Sequence, residues 1–355
     1  MNIQKELDEM YMTRALALAK KAWGSTGINP RVGALIVKNN RLVGQGFHRR
    51  LGEAHAEICA LVNAREKARG ATLYVNLEPC CCRGRTPPCV VEIVKAGIKR
   101  VVIAMKDPNP MVNGNGIAYL QHHNTEITLG ILRERACELN AWYKKYITLK
   151  KPYVIMKIAL SRDNKIAGSP NKYMTSEPSR RYVHALRGQL NAVLVGINTI
   201  GADDPYLTDR LLGKNDPIRI VIDPRLAIPE KANFLKPGSR RIIITSEQND
   251  SKKIQKLTRA GVEFIFLENT FYPIDKILNE LSKKGISALL VEGGGRVFTN
   301  FFETENYDEI YLFQAKMEIM SGLALDKRII DYVLARDKKP MHIGEDLLYH
   351  VYRNN

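Results

Sequence analysis

Apolar and polar residues alternate along this chain with two periods, one helical and one of strands. Met10, Ala15, Leu18, Ala19 and Ala22 fall at helical spacing and predict an amphipathic helix over 7–22, ending near Gly24. Residues 33–38 and 41–46 flank Asn39-Asn40, a pair able to take the positive φ angles of a hairpin turn, and predict two paired strands. A helix is expected from near Ala54 to about Arg69. A strand over 71–77 delivers Pro79-Cys80 at its end, and a helix begins near Pro88. Further on, the pattern predicts a strand over 100–104, a helix over 116–123, a strand over 126–129 and a helix over 131–146. This alternation predicts a layered α/β domain over residues 1–147.

Lys150-Lys151-Pro152 reads as a short linker to a second α/β domain over 152–355. Strands are expected there at 153–160, 192–197, 218–222, 241–245, 263–267, 288–292 and 309–315, with a terminal strand at 346–352. Helices are expected at 178–189, 250–260, 273–284 and 295–303. No internal repeat or low-complexity tract interrupts the series.

Length supports the same division, because 355 residues exceed one ordinary core. Hydrophobic residues make up 45% and charged residues 26%, which places the chain among folded globular proteins. It contains no apolar run long enough for a membrane span, and its first residues lack a signal-peptide core, so a cytoplasmic protein is expected. The formal charge of +17 points to an anionic partner, either nucleic acid or a phosphorylated small molecule. The basic residues are scattered in pairs without interleaved aromatic residues, which favours the small molecule.

Four of the six cysteines, Cys80, Cys81, Cys82 and Cys89, fall within ten residues. In a reducing compartment such clustering favours a metal over disulfides. Cys59 and Cys137 stand apart and read as small buried hydrophobes. His55-Ala56-Glu57 supplies an imidazole and a carboxylate ahead of this cluster. His55, Cys80 and Cys89 together give zinc three ligands and leave a fourth tetrahedral position for water, the mark of a catalytic site. Glu57 is placed to move protons to and from a nucleobase amidine, as in zinc deaminases. The alternative is a structural knot of four thiolates. It is disfavoured because the side chains of adjacent Cys81 and Cys82 should diverge.

Asn29-Pro30-Arg31-Val32-Gly33, Gly46-Phe47-His48, His55-Ala56-Glu57, Glu78-Pro79-Cys80, the run from Gly84 to Cys89 and Asp107-Pro108-Asn109-Pro110 together resemble the bifunctional riboflavin-biosynthesis deaminase/reductase family. The resemblance covers nearly the whole chain. It implies a cytidine-deaminase-like three-layer domain followed by a dihydrofolate-reductase-like domain. It also implies that Asn29, His48, Arg85, Asp107 and Asn109 hold the deaminase substrate. Where the family has Ser-His after its first zinc cysteine, this chain has Cys81-Cys82.

The second half lacks the usual GxGxxG dinucleotide signature. Instead, the apolar run 288–291 leads through Glu292 into Gly293-Gly294-Gly295. That is either a tight turn or a strand-to-helix cradle for a pyrophosphate. Residues 157–161, 173–176, 195–199, 202–208 and 219–224 resemble the reductase half of the same family, which uses NADPH. The resemblance implies cofactor contacts from Lys157, Thr175, Asn198 and Gly293–Gly295. It implies contacts to a phosphoribosyl substrate from Arg187, Asp203, Leu207, Arg210 and Glu292. The family's Ser-Leu-Asp-Gly-Lys appears as Ser161-Arg162-Asp163-Asn164-Lys165, and its tryptophan as Tyr173.

The expected protein is therefore a cytoplasmic enzyme with one zinc ion per chain and NADPH as cofactors. It would act on a phosphorylated pyrimidine, without nucleic-acid or membrane partners, and as a homo-oligomer. The rivals are an RNA or nucleoside deaminase with an appended domain, and a zinc-stabilised binding protein with a degenerate reductase domain.

Overall fold

The computed structural model describes residues 3–22, 26–82, 87–169, 171, 173–211, 213, 216–268 and 273–353. The chain divides into two compact units, Met1–Lys150 and Lys151–Asn355.

The first unit contains α1 (Ile3–Ala19), β1 (Gly33–Lys38), β2 (Arg41–Phe47), α2 (Ala56–Ala64), β3 (Thr72–Leu77), α3 (Cys89–Lys95), β4 (Arg100–Met105), α4 (Asn115–His122), β5 (Glu126–Leu129), α5 (Arg133–Leu139) and α6 (Ala141–Leu149). Its sheet runs in the order β2-β1-β3-β4-β5. β1 is antiparallel to β2 and β3, while β3, β4 and β5 are parallel. Side chains alternate across a strand, and helices use both faces. A Cβ on Gly33 would meet the α1 backbone at Ala15, whereas one on Gly46 would meet Cys59 and Ala56 of α2. Gly46 lies opposite Ala34, the next residue of β1, so α1 and α2 cover opposite faces. The glycines of β2 thus let α2 settle close against the sheet.

α1 begins before residue 7 and ends at Ala19, and the expected end near Gly24 lies outside the described residues. The helix expected to reach Arg69 stops at Ala64 and continues as a 3-10 turn, Arg65–Ala68. The single helix expected over 131–146 is two helices, α5 and α6. Asn140 breaks them with a non-helical φ of −115°. Its fully buried side chain accepts from the Arg31 amide at 2.8 Å and donates to the Arg31 carbonyl at 3.0 Å. These two tertiary bonds override the helical periodicity.

The second unit contains β6 (Tyr153–Leu160), β7 (Lys165–Ala167), α7 (Glu177–Gln189), β8 (Ala192–Gly196), α8 (Ile197–Asp203), β9 (Ile218–Ile222), β10 (Arg241–Ser246), α9 (Ser251–Arg259), β11 (Val262–Leu267), α10 (Ile274–Lys283), β12 (Ala288–Gly293), α11 (Gly295–Glu303), β13 (Glu309–Gln314), β14 (Leu323–Ala324), α12 (Lys327–Arg336), β15 (Met341–Ile343) and β16 (Asp346–Tyr352). The main sheet has the order β11-β10-β9-β8-β12-β6-β13-β16-β15. Strands from β11 through β13 in that order are parallel, and β16 and β15 close the edge antiparallel. Buried Met156, Leu194, Ile220, Ile242, Leu289 and Phe301 belong to one continuous core.

The pattern above does not predict α8, α12, β7, β14 or β15. α12 did carry a signal. Asp326 accepts from the Arg328 amide at 2.9 Å as a cap, and Ile329, Ile330 and Val333 form its buried stripe. No helix among the described residues is long and apolar enough to cross a membrane.

Candidate active sites

In the first unit, two neighbouring parallel strands, β3 and β4, end side by side, with Leu77 opposite Met105. β3 feeds Glu78-Pro79-Cys80, and α3 begins with Cys89. His55 occupies the N-cap of α2, and Glu57 lies in that helix's first turn. His55 Nδ1 is 3.2 Å from Cys89 Sγ and 3.5 Å from Cys80 Sγ. All three ligand atoms lie within 4.8 Å of one another. Around a tetrahedral zinc, bonds of ~2.0 Å to nitrogen and ~2.3 Å to sulphur separate those atoms by about 3.5 Å. The three side chains therefore fit zinc.

The same closeness shifts the protonation of each side chain. Cys80 is held at about 4: its sulphur pairs with Cys89 and, despite burial, gains from His55. The partner thiol, Cys89, is pushed up by the same pairing and by burial. His55 is raised by its bond to Cys80. Glu57 is 4% exposed, and burial together with the Cys80 charge pushes its carboxyl up to about 7. A group that exchanges its proton near neutrality beside a metal site suits general acid–base work.

Asn29 and His48 meet beside this cluster. The Asn29 amide lies 3.1 Å from His48 Nε2, and the His48 ring stands edge-on to His55 at 5.4 Å. Asp107 and Asn109 follow β4. Asp107 is buried, accepts from the Asn109 amide at 2.8 Å and from the Tyr143 hydroxyl at 3.0 Å, and is pushed by burial up to about 6. No sequence signal singles out Tyr143, which reaches this carboxylate from α6. Arg85 lies outside the described residues.

Cys81 and Cys82 correct one expectation. Their sulphurs do not diverge; they lie 3.8 Å apart. Both turn onto the Met111 carbonyl, Cys82 at 3.0 Å and Cys81 at 3.8 Å.

In the second unit, Glu292 at the end of β12 takes a two-point ion pair from Arg187 of α7 through Nε and Nη2. Lys157 Nζ of β6 lies 3.5 Å from the same carboxylate. Burial opposes the Glu292 charge, yet Arg187 and Lys157 hold it at about 2. Burial lowers Lys157 in turn. Asp203, at the exposed end of α8, interacts electrostatically with Lys157. Arg187 also donates to the Thr208 carbonyl at 3.3 Å. The Leu207 side chain is buried with φ +55°, while Arg210 is exposed beside the Tyr206 ring.

Gly293, Gly294 and Gly295 form the turn between β12 and α11, and Gly294 has a left-handed φ of +63°. A Cβ on Gly293 would sit 2.9 Å from Thr199 Oγ1 of α8. The next strand of the sheet, β8, likewise passes directly into a helix that carries exposed Asn198. Two adjacent strand-to-helix turns, one bare of side chains, fit a dinucleotide pyrophosphate. Thr199 falls within the 195–199 segment, and the sequence pattern assigns it no role. Thr175 is half-buried, and its carbonyl accepts from Arg180 at 2.6 Å. His184 and Asp209 are buried near Arg187, 3.8 Å apart, and the pattern gave neither a role.

Comparison with known proteins agrees in both halves. Residues 5–105 match the cytidine and deoxycytidylate deaminase zinc-binding region, and residues 152–319 match the RibD C-terminal domain. The chain is 42% identical to the riboflavin biosynthesis protein RibD of Aquifex aeolicus (strain VF5), over 97% of this chain and 98% of that one. Identity to the Escherichia coli (strain K12) protein of the same name is 35%, over 97% and 99%. Acinetobacter baumannii RibD superposes with a TM-score of 0.87 at 32% identity, covering 98% of this chain and 99% of that one. A diaminohydroxyphosphoribosylaminopyrimidine deaminase/5-amino-6-(5-phosphoribosylamino)uracil reductase from Thermotoga maritima gives 0.86 at 34% identity, with the same coverage. The fold is thus a cytidine-deaminase-like unit followed by a dihydrofolate-reductase-like one. With its zinc-type triad in the first unit and its glycine turn and buried ion-pair cluster in the second, the chain belongs to the RibD family of riboflavin biosynthesis proteins.

Proposed function

We propose that this chain carries out two consecutive steps of riboflavin biosynthesis. The first unit deaminates 2,5-diamino-6-(5-phosphoribosylamino)pyrimidin-4-one, and the second reduces the ribosyl chain of the product to ribityl with NADPH. The observation that carries the reading is buried Glu57, with its proton exchangeable near neutrality, beside the convergent His55, Cys80 and Cys89.

In the first step a C–O bond forms to water, a C–N bond breaks, and ammonia leaves. Zinc on His55, Cys80 and Cys89, when bound, supplies a Lewis acid that makes water a nucleophile at neutral pH. The Glu57 carboxylate takes a proton from the attacking water and returns it to the ring nitrogen and then to the departing amine. Asn29 and His48 offer amide and imidazole groups to the pyrimidine edge, and Asp107, Asn109 and Arg85 complete the substrate side.

In the second step the cofactor supplies a hydride, and the protein supplies alignment. The Gly293–Gly295 turn, Thr175, Asn198 and Lys157 would hold NADPH. Arg187, Asp203, Leu207, Arg210 and Glu292 would face the phosphoribosyl chain, with the guanidiniums suited to phosphate and the carboxylates to hydroxyls.

The test supplies the diaminopyrimidine phosphoribosyl substrate to the purified chain and follows ammonia release and NADPH oxidation separately. Both signals, with ammonia appearing first, are expected. Ammonia without NADPH oxidation rejects the reductase assignment, and the absence of both rejects the whole reading.

A further inference from the structure

Glu78 lies between β3 and the metal ligand Cys80, is 2% exposed, and faces no cation within ion-pair distance among the described residues. Its carboxylate is instead spent on backbone amides. Oε2 accepts from Asp107 at 3.2 Å and from Gly114 at 3.0 Å, and Oε1 accepts from Ile117 at 3.1 Å. The Glu78 amide itself donates to the Met105 carbonyl at 3.0 Å. One carboxylate therefore grips both ends of the loop from Asp107 to Gly114 and the first turn of α4. That helix has Gly114 at its N-cap, which offers no side chain, so Glu78 satisfies amides left open there. The approach is close, since a Cβ on Gly116 would fall 2.2 Å from the Pro79 carbonyl.

We propose that Glu78 is a positioning residue for deamination, a buried clamp that fixes the Asp107–Asn109 loop at a set distance from the metal-binding loop. Burying a carboxylate is costly unless its oxygens find hydrogen-bond donors. Three convergent amide donors meet its two oxygens, and they all come from the segment that carries Asp107 and Asn109. The clamp acts through that segment and touches no reacting atom. The inference rests on the proposed reading of Asp107 and Asn109 as substrate contacts.

The experiment compares wild type, Glu78→Gln, Asp107→Asn and the double variant as full-length zinc-loaded chains. Glutamine keeps the shape but must turn an NH2 group toward at least one N–H donor. The clamp predicts that Glu78→Gln retains one zinc per chain and speeds amide exchange across 107–117 but not across α2. It also predicts that KM for the diaminopyrimidine substrate rises about tenfold or more with kcat within about threefold. In the Asp107→Asn background the same change should cost much less, because both act through one contact. Glu78→Asp, which keeps the charge but is one methylene short, should fall between glutamine and wild type. Wild-type exchange and KM in Glu78→Gln overturn the proposal. So does zinc loss in proportion to activity, which would make Glu78 a support of the metal loop alone, and so does full additivity with Asp107→Asn. If the wild-type chain releases no ammonia, the proposed function falls, and the exchange measurement alone then decides the clamp.

Discussion

The side-chain amide of Asn29 points its nitrogen at Nε2 of His48, 3.1 Å away. An amide nitrogen can only donate, so Nε2 accepts and the ring proton sits on Nδ1, facing the Ala54 carbonyl at 3.2 Å. In this arrangement His48 is a neutral imidazole of one tautomer, and burial lowers its pKa from the ordinary 6.5.

Nitrogen-15 NMR of the ring should show Nε2 unprotonated at pH 6.5 and a titration midpoint below that value. Asn29→Asp places a negative charge against Nε2 and should raise the midpoint by about one pH unit or more. A midpoint unmoved by that change would show that the two side chains do not pair in solution.

Glu57→Gln should lower deamination about 100- to 10,000-fold. Zinc content should stay at one per chain, because Glu57 is not among the three converging ligands. NADPH oxidation with the deaminated intermediate should be unchanged, because it belongs to the second unit. Elemental analysis and two separate assays read these outcomes, and zinc loss would move Glu57 into the ligand set.

The cysteines should separate into two classes. Cys80→Ser and Cys89→Ser each remove a ligand and should weaken zinc binding by more than the ~10- to 100-fold that loss of an outer partner costs. Cys81→Ser and Cys82→Ser should keep the metal, since these thiols are turned onto the Met111 carbonyl. Competition with a chromogenic chelator measures all four.

Glu292 should make the second unit sensitive to acid. Its folded pKa of about 2 lies below the ordinary 4.5. The stabilisation is therefore fully present above about pH 4.5 and is lost as pH falls toward 2. At ~1.4 kcal/mol for each pH unit of that difference, it amounts to about 3 kcal/mol. Glu292→Gln should remove this acid dependence and cost a similar amount at pH 7, because Arg187 and Lys157 are left buried without their partner. Urea unfolding at a series of pH values checks both, and a parallel pH profile for the variant would count against the assignment.

The metal set could be read from the sequence because zinc chemistry restricts residue type. His55, Cys80 and Cys89 stand out in combination, with Glu57 two residues beyond His55, and strand–helix periodicity places them at element ends. The roles of Glu78 and Asn140 could not be read in that way. Each is a polar residue satisfied entirely by backbone groups distant in sequence, and no local pattern encodes such a partner. Glu78 did leave a trace, a carboxylate set directly between an apolar strand and Pro79-Cys80. Cys81 and Cys82 depart from the sequence expectation for a related reason. Adjacent side chains diverge on a regular strand, but these two sit on an irregular loop that turns both toward Met111.

The order of strands in the second sheet carries a cost during synthesis. β6 is the first strand of that unit to be made, yet its neighbours in the sheet are β12 and β13. Both edges of an apolar strand thus wait for more than a hundred residues of later chain, and pairings so distant in sequence form slowly. Until Ala288 and the residues after it emerge, the Tyr153–Leu160 segment offers open hydrogen-bonding edges to any passing strand. Lys157, Arg187 and Glu292 come together only when β12 enters between β6 and β8, so this buried ion-pair cluster forms in the same event that joins β6 to the rest of the sheet.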